Sequence, residues 1–165
     1  MPNWCTNTLT ITGDKSAIEG FMLNWIPRTF NSLVPMPEDE ETQKAESEDS
    51  YLRTFDLHMG SDTPEWYHWR IHNWGTKWDI DEESLQLSID EEEAVVFEFD
   101  TAWSPPIPFV EKVARKFPAL QFLIEYYELG NDFAGYARFC RGFLNEEQEG
   151  CPADFDFSNF EEELD

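Results

Sequence analysis

Two histidines, His68 and His72, stand four residues apart in a stretch that is predicted to be helical. Side chains at i and i+4 share one helix face, so this spacing allows two imidazoles to bind one metal ion. Two ligands do not make a site, and a third would have to come from elsewhere, such as His58 or an acidic residue. We therefore interpret both histidines as polar residues of an amphipathic helix, and we expect no metal and no other cofactor.

The other residue types that support catalysis lack a recognisable arrangement. Three cysteines, Cys5, Cys140 and Cys151, form no CxxC pair and match no nucleophile signature. No glycine-rich phosphate loop is present. Carboxylates are abundant, but acid–base catalysis needs two whose environments separate their pKa values. We assign no catalytic residue and expect the protein not to be an enzyme.

The most distinctive aromatic residues lie in two short segments, 74–79 and 103–106. One interpretation is an aromatic cleft for a ligand or partner. Its residues would be Trp74, Lys77, Trp78, Trp103 and Glu128. The structural interpretation, which we favour, is that Trp74 and Trp78 fix an inserted segment on the sheet, because most such aromatics belong to the core. Lys77 is then expected to pair with Asp79 or Glu128.

Acidic residues dominate the charge of the chain. The sequence has 35 Asp and Glu against 11 Lys and Arg, a formal net charge of −24. Three segments carry nearly all of it: 38–49 (seven acids, one lysine), 81–93 (seven acids) and 146–165 (nine acids). The rest of the chain is nearly neutral. A surface of this sign repels phosphate backbones, so we expect no direct binding of nucleic acid.

These charged segments have two interpretations. Charge runs are usually solvated surface, and the acidity then serves solubility. Alternatively, they form a negative surface for a basic protein, including one that normally binds nucleic acid. The candidate carboxylates are Glu38, Asp39, Glu40, Glu41, Asp81, Glu82, Glu83, Glu91, Glu92 and Glu93.

The hydrophobic pattern predicts the elements that would position these groups. Residues 3–13 alternate as a strand, with Cys5, Leu9 and Ile11 on one face and threonines on the other. Apolar residues at helical spacing predict helices over about 16–25, 64–74 and 106–117. Further strands are predicted over 84–90, 95–99, 120–129 and 134–143. In the strand over 84–90, Leu85, Leu87 and Ile89 are expected to face inward.

This order predicts an α+β fold, a ferredoxin-like split βαβ antiparallel sheet, with an insertion after the first helix and an extra C-terminal strand. The domain is expected over 1–143, with its inserted segment at about 28–80. The acidic stretch 38–50 is expected to be a mobile loop or a frayed helix. Residues 144–165 are expected to form an acidic tail that contributes little to folding. Helices should cover one sheet face and leave the threonine face to the extra segments.

Composition indicates one domain with a substantial core, since 41% of the 165 residues are hydrophobic and 16% are aromatic. No apolar run is long enough to cross a bilayer, and the N-terminus lacks the pattern of a secretory signal. An odd number of scattered cysteines fits a reducing compartment. We expect a cytoplasmic protein with no membrane contact, and we predict no particular oligomeric state.

Four phrases go beyond generic patterning. They are Met1–Asn7 with Ile11–Gly13, Trp74–Asp79, Thr101–Pro106, and Tyr126–Glu128 with Phe133–Gly135. Together they resemble the YubB-like (Api-type) proteins of bacteriophages and conjugative plasmids. The resemblance implies a ferredoxin-like domain and an origin on a bacterial mobile element, and it implies no activity.

From charge and resemblance together, we expect a non-enzymatic protein that binds and inhibits a host or defence-system protein with a basic, nucleic-acid-binding surface. Such an anti-defence factor could mimic DNA, provided that its carboxylates stand in rows. The alternative is a small-molecule-binding or hydrolytic domain that uses the aromatic cleft around Trp74, Trp78 and Trp103.

Overall fold

The structure, a computed structural model, describes residues 2–155. Six strands form one sheet: β1 Trp4–Thr12, β2 Gln86–Glu91, β3 Ala94–Ala102, β4 Gln121–Glu128, β5 Phe133–Cys140 and β6 Phe143–Gly150. The described residues also contain six α-helices: α1 Lys15–Asn24, α2 Phe30–Leu33, α3 Glu40–Ala45, α4 Tyr51–Met59, α5 Glu65–Asn73 and α6 Ile107–Lys116.

The sheet is antiparallel throughout, in the order β2-β3-β1-β4-β5-β6. Its first part, β1-α1-β2-β3-α6-β4 without the inserted helices, is the split βαβ arrangement. The predicted α+β, ferredoxin-like fold is therefore confirmed. Strands β5 and β6 extend the sheet beyond β4.

The core lies between the sheet and helices α1 and α6. Phe21 of α1 packs edge-on against Phe122 of β4, with ring centroids 5.7 Å apart, and Trp25 packs against Phe97 of β3 at 5.1 Å. Cys5 is fully buried in the same sheet, as predicted. Because the inward side chains of β1, β3 and β4 are nearly all apolar, burying them stabilises this layer.

The inserted helices α2–α5 pack on the helical side of the sheet and not on the threonine face, contrary to the prediction. Phe30 of α2 contacts Phe109 of α6 and Phe99 of β3, with ring centroids 4.5 Å and 6.1 Å apart. Trp74, just after α5, contacts the same Phe30 at 5.8 Å. The insertion therefore extends the existing aromatic core, which buries more apolar surface than the polar threonine face offers.

The acidic stretch 38–50 is folded, whereas a mobile loop or frayed helix was predicted. Asp39 caps α3 by accepting a hydrogen bond from the Thr42 backbone N–H at 3.0 Å. Gln43 and Ser47 are buried, and Glu46 accepts a hydrogen bond from the Trp69 indole at 2.8 Å. These contacts hold α3 against α5, so part of the acidity serves the fold. Helix α4, over residues 51–59, was not predicted at all.

Strand β2 departs from the predicted alternation. A bulge between Leu87 and Ile89 pairs these residues with Phe97 and Val96, which point to opposite sheet faces. Leu87 is 43% exposed. The prediction that Leu87 and Ile89 share one inward face is therefore wrong, because the extra residue of a bulge reverses the direction of the side chains that follow it.

The C-terminal boundary also differs from the predicted one. The strand that was predicted over 134–143 is β5, and it ends at Cys140. Arg141 and Gly142, with φ of 55° and 84°, then turn the chain into a further strand, β6. The segment predicted as a tail from residue 144 therefore begins inside an edge strand. An edge strand is held mainly by backbone hydrogen bonds to its neighbour, so it tolerates the charged side chains that suggested a tail. The tail residues Phe157, Phe160 and Leu164 lie outside the described residues.

Candidate functional site

The carboxylates of the β2–β3 hairpin border a groove on the protein surface. This groove, of about 600 Å³, lies between α1 and the end of β2. Its apolar side chains come from α1, and its carboxylates come from both elements. The lining residues are Lys15, Ile18, Glu19, Met22, Leu23, Asp90, Glu91 and Glu92.

One base contacts this acidic rim. The Lys15 ammonium lies 3.4 Å from a Glu92 carboxylate oxygen, and both side chains are largely exposed, so the pair contributes little to stability. Asp90, Glu91 and Glu93 make no side-chain hydrogen bond or ion pair within residues 2–155. Within the described residues, these three carboxylates are therefore uncommitted.

The other acidic candidates stand elsewhere. Asp81, Glu82 and Glu83 precede β2, and Asp81 Oδ1 accepts a hydrogen bond from the Glu83 backbone N–H at 3.1 Å. The strand that separates them from the hairpin tip is six residues long, which corresponds to roughly 20 Å. The acidic run 81–93 is therefore two patches and not one.

Residues 38–41 contain three exposed carboxylates and one carboxylate that caps helix α3. Glu38, Glu40 and Glu41 are exposed. Asp39 is exposed too, but its pKa is lowered by its hydrogen bonds to Thr42 at the start of α3. Its charge belongs to helix capping, so this segment offers fewer free carboxylates than its sequence suggests.

The predicted aromatic cleft does not form as one site, since two of its five residues are structural. Trp74 is 1% exposed, and its indole donates a hydrogen bond to the Val34 carbonyl at 2.9 Å. Glu128 is 2% exposed, and its two carboxylate oxygens accept hydrogen bonds from the backbone N–H groups of Gly130 and Asn131. The structural interpretation is confirmed for Trp74.

The other three cleft residues are more accessible. Trp78 and Trp103 are 40% and 46% exposed. Trp78 contacts Trp4 of strand β1, with ring centroids 6.2 Å apart, which agrees with the prediction that Trp78 fixes the insertion on the sheet. Lys77 makes no ion pair with Asp79 or Glu128, contrary to expectation. Its ammonium lies 5.4 Å and 5.1 Å from the ring centroids of Tyr67 and Trp78.

Asp79 is unavailable to Lys77 because the backbone uses it. Its carboxylate accepts hydrogen bonds from the N–H groups of Phe30, Asn31 and Ile80, at 2.5 Å, 3.1 Å and 2.7 Å. The first two are unsatisfied donors of the first turn of α2, which a carboxylate stabilises. Asp79 thereby ties α2 to the chain that leads into β2.

Trp4 is the aromatic residue that the sequence reasoning missed. Its ring lies 6.2 Å from that of Trp78, at an interplanar angle of 46°. Both rings line a pocket of about 350 Å³ that also includes Asp81 and Asp100. The alternation of β1 held the signal, because a strand that turns Cys5 inward must turn Trp4 outward.

The predicted histidine helix carries a buried contact between a histidine and a carboxylate. His68 Nε2 lies 3.2 Å from a carboxylate oxygen of Asp56 in α4. Burial lowers the pKa of His68, and hydrogen bonds from Thr63 and Ser61 help to lower that of Asp56. Within residues 2–155, no group of three potential ligands is placed to hold a metal ion. This pair joins α4 to α5.

Two further properties bear on chemistry and location. Burial raises the pKa of the Cys5 thiol to about 12; it is therefore protonated at neutral pH and a poor nucleophile. Among residues 2–155, no helix is both long and apolar enough to cross a bilayer.

The described fold is an α+β protein with an acidic groove at one end of the sheet and an exposed tryptophan pair at the other. A family model described as "Ferredoxin-like domain in Api92-like protein" matches residues 73–165, more than half of the chain. The protein therefore belongs to the Api92-like family, and the resemblance that the sequence indicated is confirmed at that level. Strand β1 and helix α1 precede the matched range, although β1 lies in the middle of the sheet.

One solved structure supports the same fold. The crystal structure of a protein api92 from Yersinia pseudotuberculosis is similar with a TM-score of 0.56 and 12% sequence identity. The similarity covers 91% of this chain and 98% of that one. No curated protein matches the sequence.

Proposed function

We propose that this protein is a non-enzymatic interaction protein of a phage or plasmid, which binds and inhibits a basic, nucleic-acid-binding host protein in the bacterial cytoplasm. In this proposal it acts as an anti-defence factor. The observation that carries the proposal is the groove between α1 and the β2–β3 hairpin, where uncommitted carboxylates border an apolar floor.

Such a groove suits a basic protein segment with an apolar side. Met22 is half-buried and Leu23 is 75% exposed at the groove, so these two side chains provide apolar surface that a partner can bury. The carboxylates around them attract a positive surface over a distance, which accelerates encounter, while the apolar contacts slow dissociation. The net charge of −24 extends the attraction to the whole molecule.

The narrower form of the proposal is DNA mimicry, which requires carboxylates at fixed positions. Edge strand β6 supports it. Tyr136 donates a hydrogen bond to Glu146 at 2.7 Å, and Tyr126 donates one to Glu149 at 3.0 Å. Of these two carboxylates, Glu149 shares its sheet face with Glu147, at a separation of roughly 6.8 Å for residues at i and i+2. That is about twice the axial rise of ~3.4 Å per phosphate in one DNA strand.

The test is affinity capture from bacterial lysate with three forms of the protein. The first is wild type. The second is the hairpin variant, E91Q/E92Q/E93Q, and the third is the matched control E48Q/D62N/D132N, which removes the same charge at exposed positions outside the candidate carboxylates. We expect wild type and control to retain one basic, nucleic-acid-binding protein and the hairpin variant to lose it. The captured protein should lose activity on nucleic acid when the wild-type protein is added.

Salt dependence completes the test. Charges on an exposed rim are screened over about 8 Å at physiological ionic strength, so association should slow as salt rises. Equal capture by all three forms, with an association rate that does not depend on salt, would remove the electrostatic interface. Capture of a neutral metabolic enzyme, or of a partner whose activity is unaffected, would also contradict the proposal.

A further inference from the structure

The structure exposes a pair of tryptophans at the end of the sheet opposite the hairpin. Trp4 is 48% exposed and Trp78 is 40% exposed, whereas Trp25, Trp69 and Trp74 are at most 1% exposed. The exposed rings form one wall of the 350 Å³ pocket. Tryptophan in contact with water on a concave surface is typical of a binding site.

The polar side of this pocket is negative. Of its three aspartates, Asp79 is committed to backbone N–H groups, as described above. Asp100, on β3, makes no hydrogen bond or ion pair within residues 2–155, and Asp81 uses only Oδ1. The pocket therefore combines two aromatic faces with at least one free carboxylate.

A residue with an unusual backbone conformation, Trp103, lies next to this pocket. Trp103 directly follows Ala102, which lines the pocket, and Trp103 has a φ of 72°. A bulky residue rarely adopts this left-handed conformation, and such residues cluster at functional sites. The conformation is held by hydrogen bonds from the Trp103 N–H to the Asn3 carbonyl at 2.9 Å and from the Ser104 hydroxyl to the Gly75 carbonyl at 2.6 Å.

A positively charged planar group fits this chemistry better than any neutral one. Cations bind over the faces of tryptophan rings, and guanidinium can stack on a ring while it donates hydrogen bonds to a carboxylate. The molecule already uses this interaction nearby, since the Arg70 guanidinium lies 4.9 Å and 5.1 Å from the ring centroids of Trp66 and Trp74.

We infer that the Trp4–Trp78 pocket binds an arginine side chain of the partner, with Asp100 as its counter-charge and Asp81 beside it. This inference rests on the proposed function, because it assumes a basic protein partner. It adds a second contact at a defined place. The pocket and the hairpin lie at opposite ends of β1, eight residues apart on the strand, or roughly 27 Å.

The probe is N-acetyl-arginine amide, followed by the indole N–H resonances of the seven tryptophans in an NMR titration. The control ligand is N-acetyl-citrulline amide, which has nearly the same shape but no charge. We expect saturable shifts at Trp4 and Trp78 with the arginine compound and none with the citrulline compound. D100N should weaken binding by roughly three- to fivefold, the size of one exposed cation–π or ion-pair contact. D62N, which removes an exposed charge elsewhere, should leave binding unchanged.

The inference is overturned by three results. They are shifts that do not saturate at the two indoles, equal binding of the citrulline compound, which would indicate a general small-molecule pocket, and equal effects of D100N and D62N. The hairpin variant E91Q/E92Q/E93Q separates the two proposals. It should bind the arginine compound normally while it loses the captured partner. Intact capture without arginine binding would remove the pocket alone.

Discussion

Two carboxylates at the hairpin and two near the opposite end of the sheet have different roles. At the hairpin end, Glu91 and Glu93 have no side-chain partner within residues 2–155. At the other end, Asp79 and Glu128 each accept hydrogen bonds from two or more backbone N–H groups. The comparison shows that a carboxylate's role depends on the N–H donors around it and not on the charge density of its sequence segment.

The tryptophans show the same division and provide the largest expected effect. Trp74→Ala removes a buried ring and the hydrogen bond to the Val34 carbonyl, and should cost about 3–5 kcal/mol in the free energy of unfolding. Trp78→Ala should cost less, at most about 2 kcal/mol, because the Trp78 side chain is 40% exposed and its removal leaves no enclosed cavity. Urea unfolding of both variants measures the difference. Equal losses would mean that the exposed ring is as structural as the buried one.

Truncation tests whether the acidic C-terminal segment is structural. A chain that ends at Phe143 loses β6, its backbone pairing with β5, and the hydrogen bonds from Tyr126 and Tyr136 to its glutamates. Its melting temperature should fall by about 5 °C or more. A chain that ends at Phe155 is the control and keeps every described strand. If both truncations melt at the wild-type temperature, β6 does not contribute to stability.

A pair of glutamates tests the comparison directly. Glu128→Ala removes a buried carboxylate and the acceptor of the Gly130 and Asn131 backbone N–H groups, and should cost roughly 1–3 kcal/mol. Glu92→Ala breaks the exposed contact with Lys15 and should cost between 0 and about 1 kcal/mol. Chemical denaturation of the two variants, side by side, gives both numbers. A larger loss for Glu92→Ala would reverse the assignment of roles.

The hairpin variant E91Q/E92Q/E93Q should show the smallest change in stability, within about 0.5 kcal/mol of wild type. The turn is held by backbone pairing, including the hydrogen bond from the Gly13 N–H to the Glu93 carbonyl at 3.2 Å, which the substitutions retain. Thermal melting at low and high salt is the measurement. A clear loss of stability would show that these carboxylates serve the fold, and their role as free binding groups would then fail.

The sequence predicted most of the sheet because its signal is local. Strict alternation in β1 and β3 fixes which side chains face the helices, and Leu9 and Phe97 are 2% and 0% exposed as predicted. The failures lie where the pattern is weak. The bulge at Leu87 adds one residue to β2, and the residue types around it do not predict its position. Strand β6 is rich in glutamate, and this composition is also typical of an acidic tail.

The sequence by itself determined the fold class, the family resemblance and the sign of the surface, because each of these depends on residue types and their spacing along the chain. Tertiary structure decided which residues act together. It buried Trp74 and Glu128, and it brought Trp4 beside Trp78, which is 74 positions away in the sequence. Residues so distant meet only through the packing of the insertion against the sheet, and the hydrogen-bond donors that commit a carboxylate belong to other segments of the backbone.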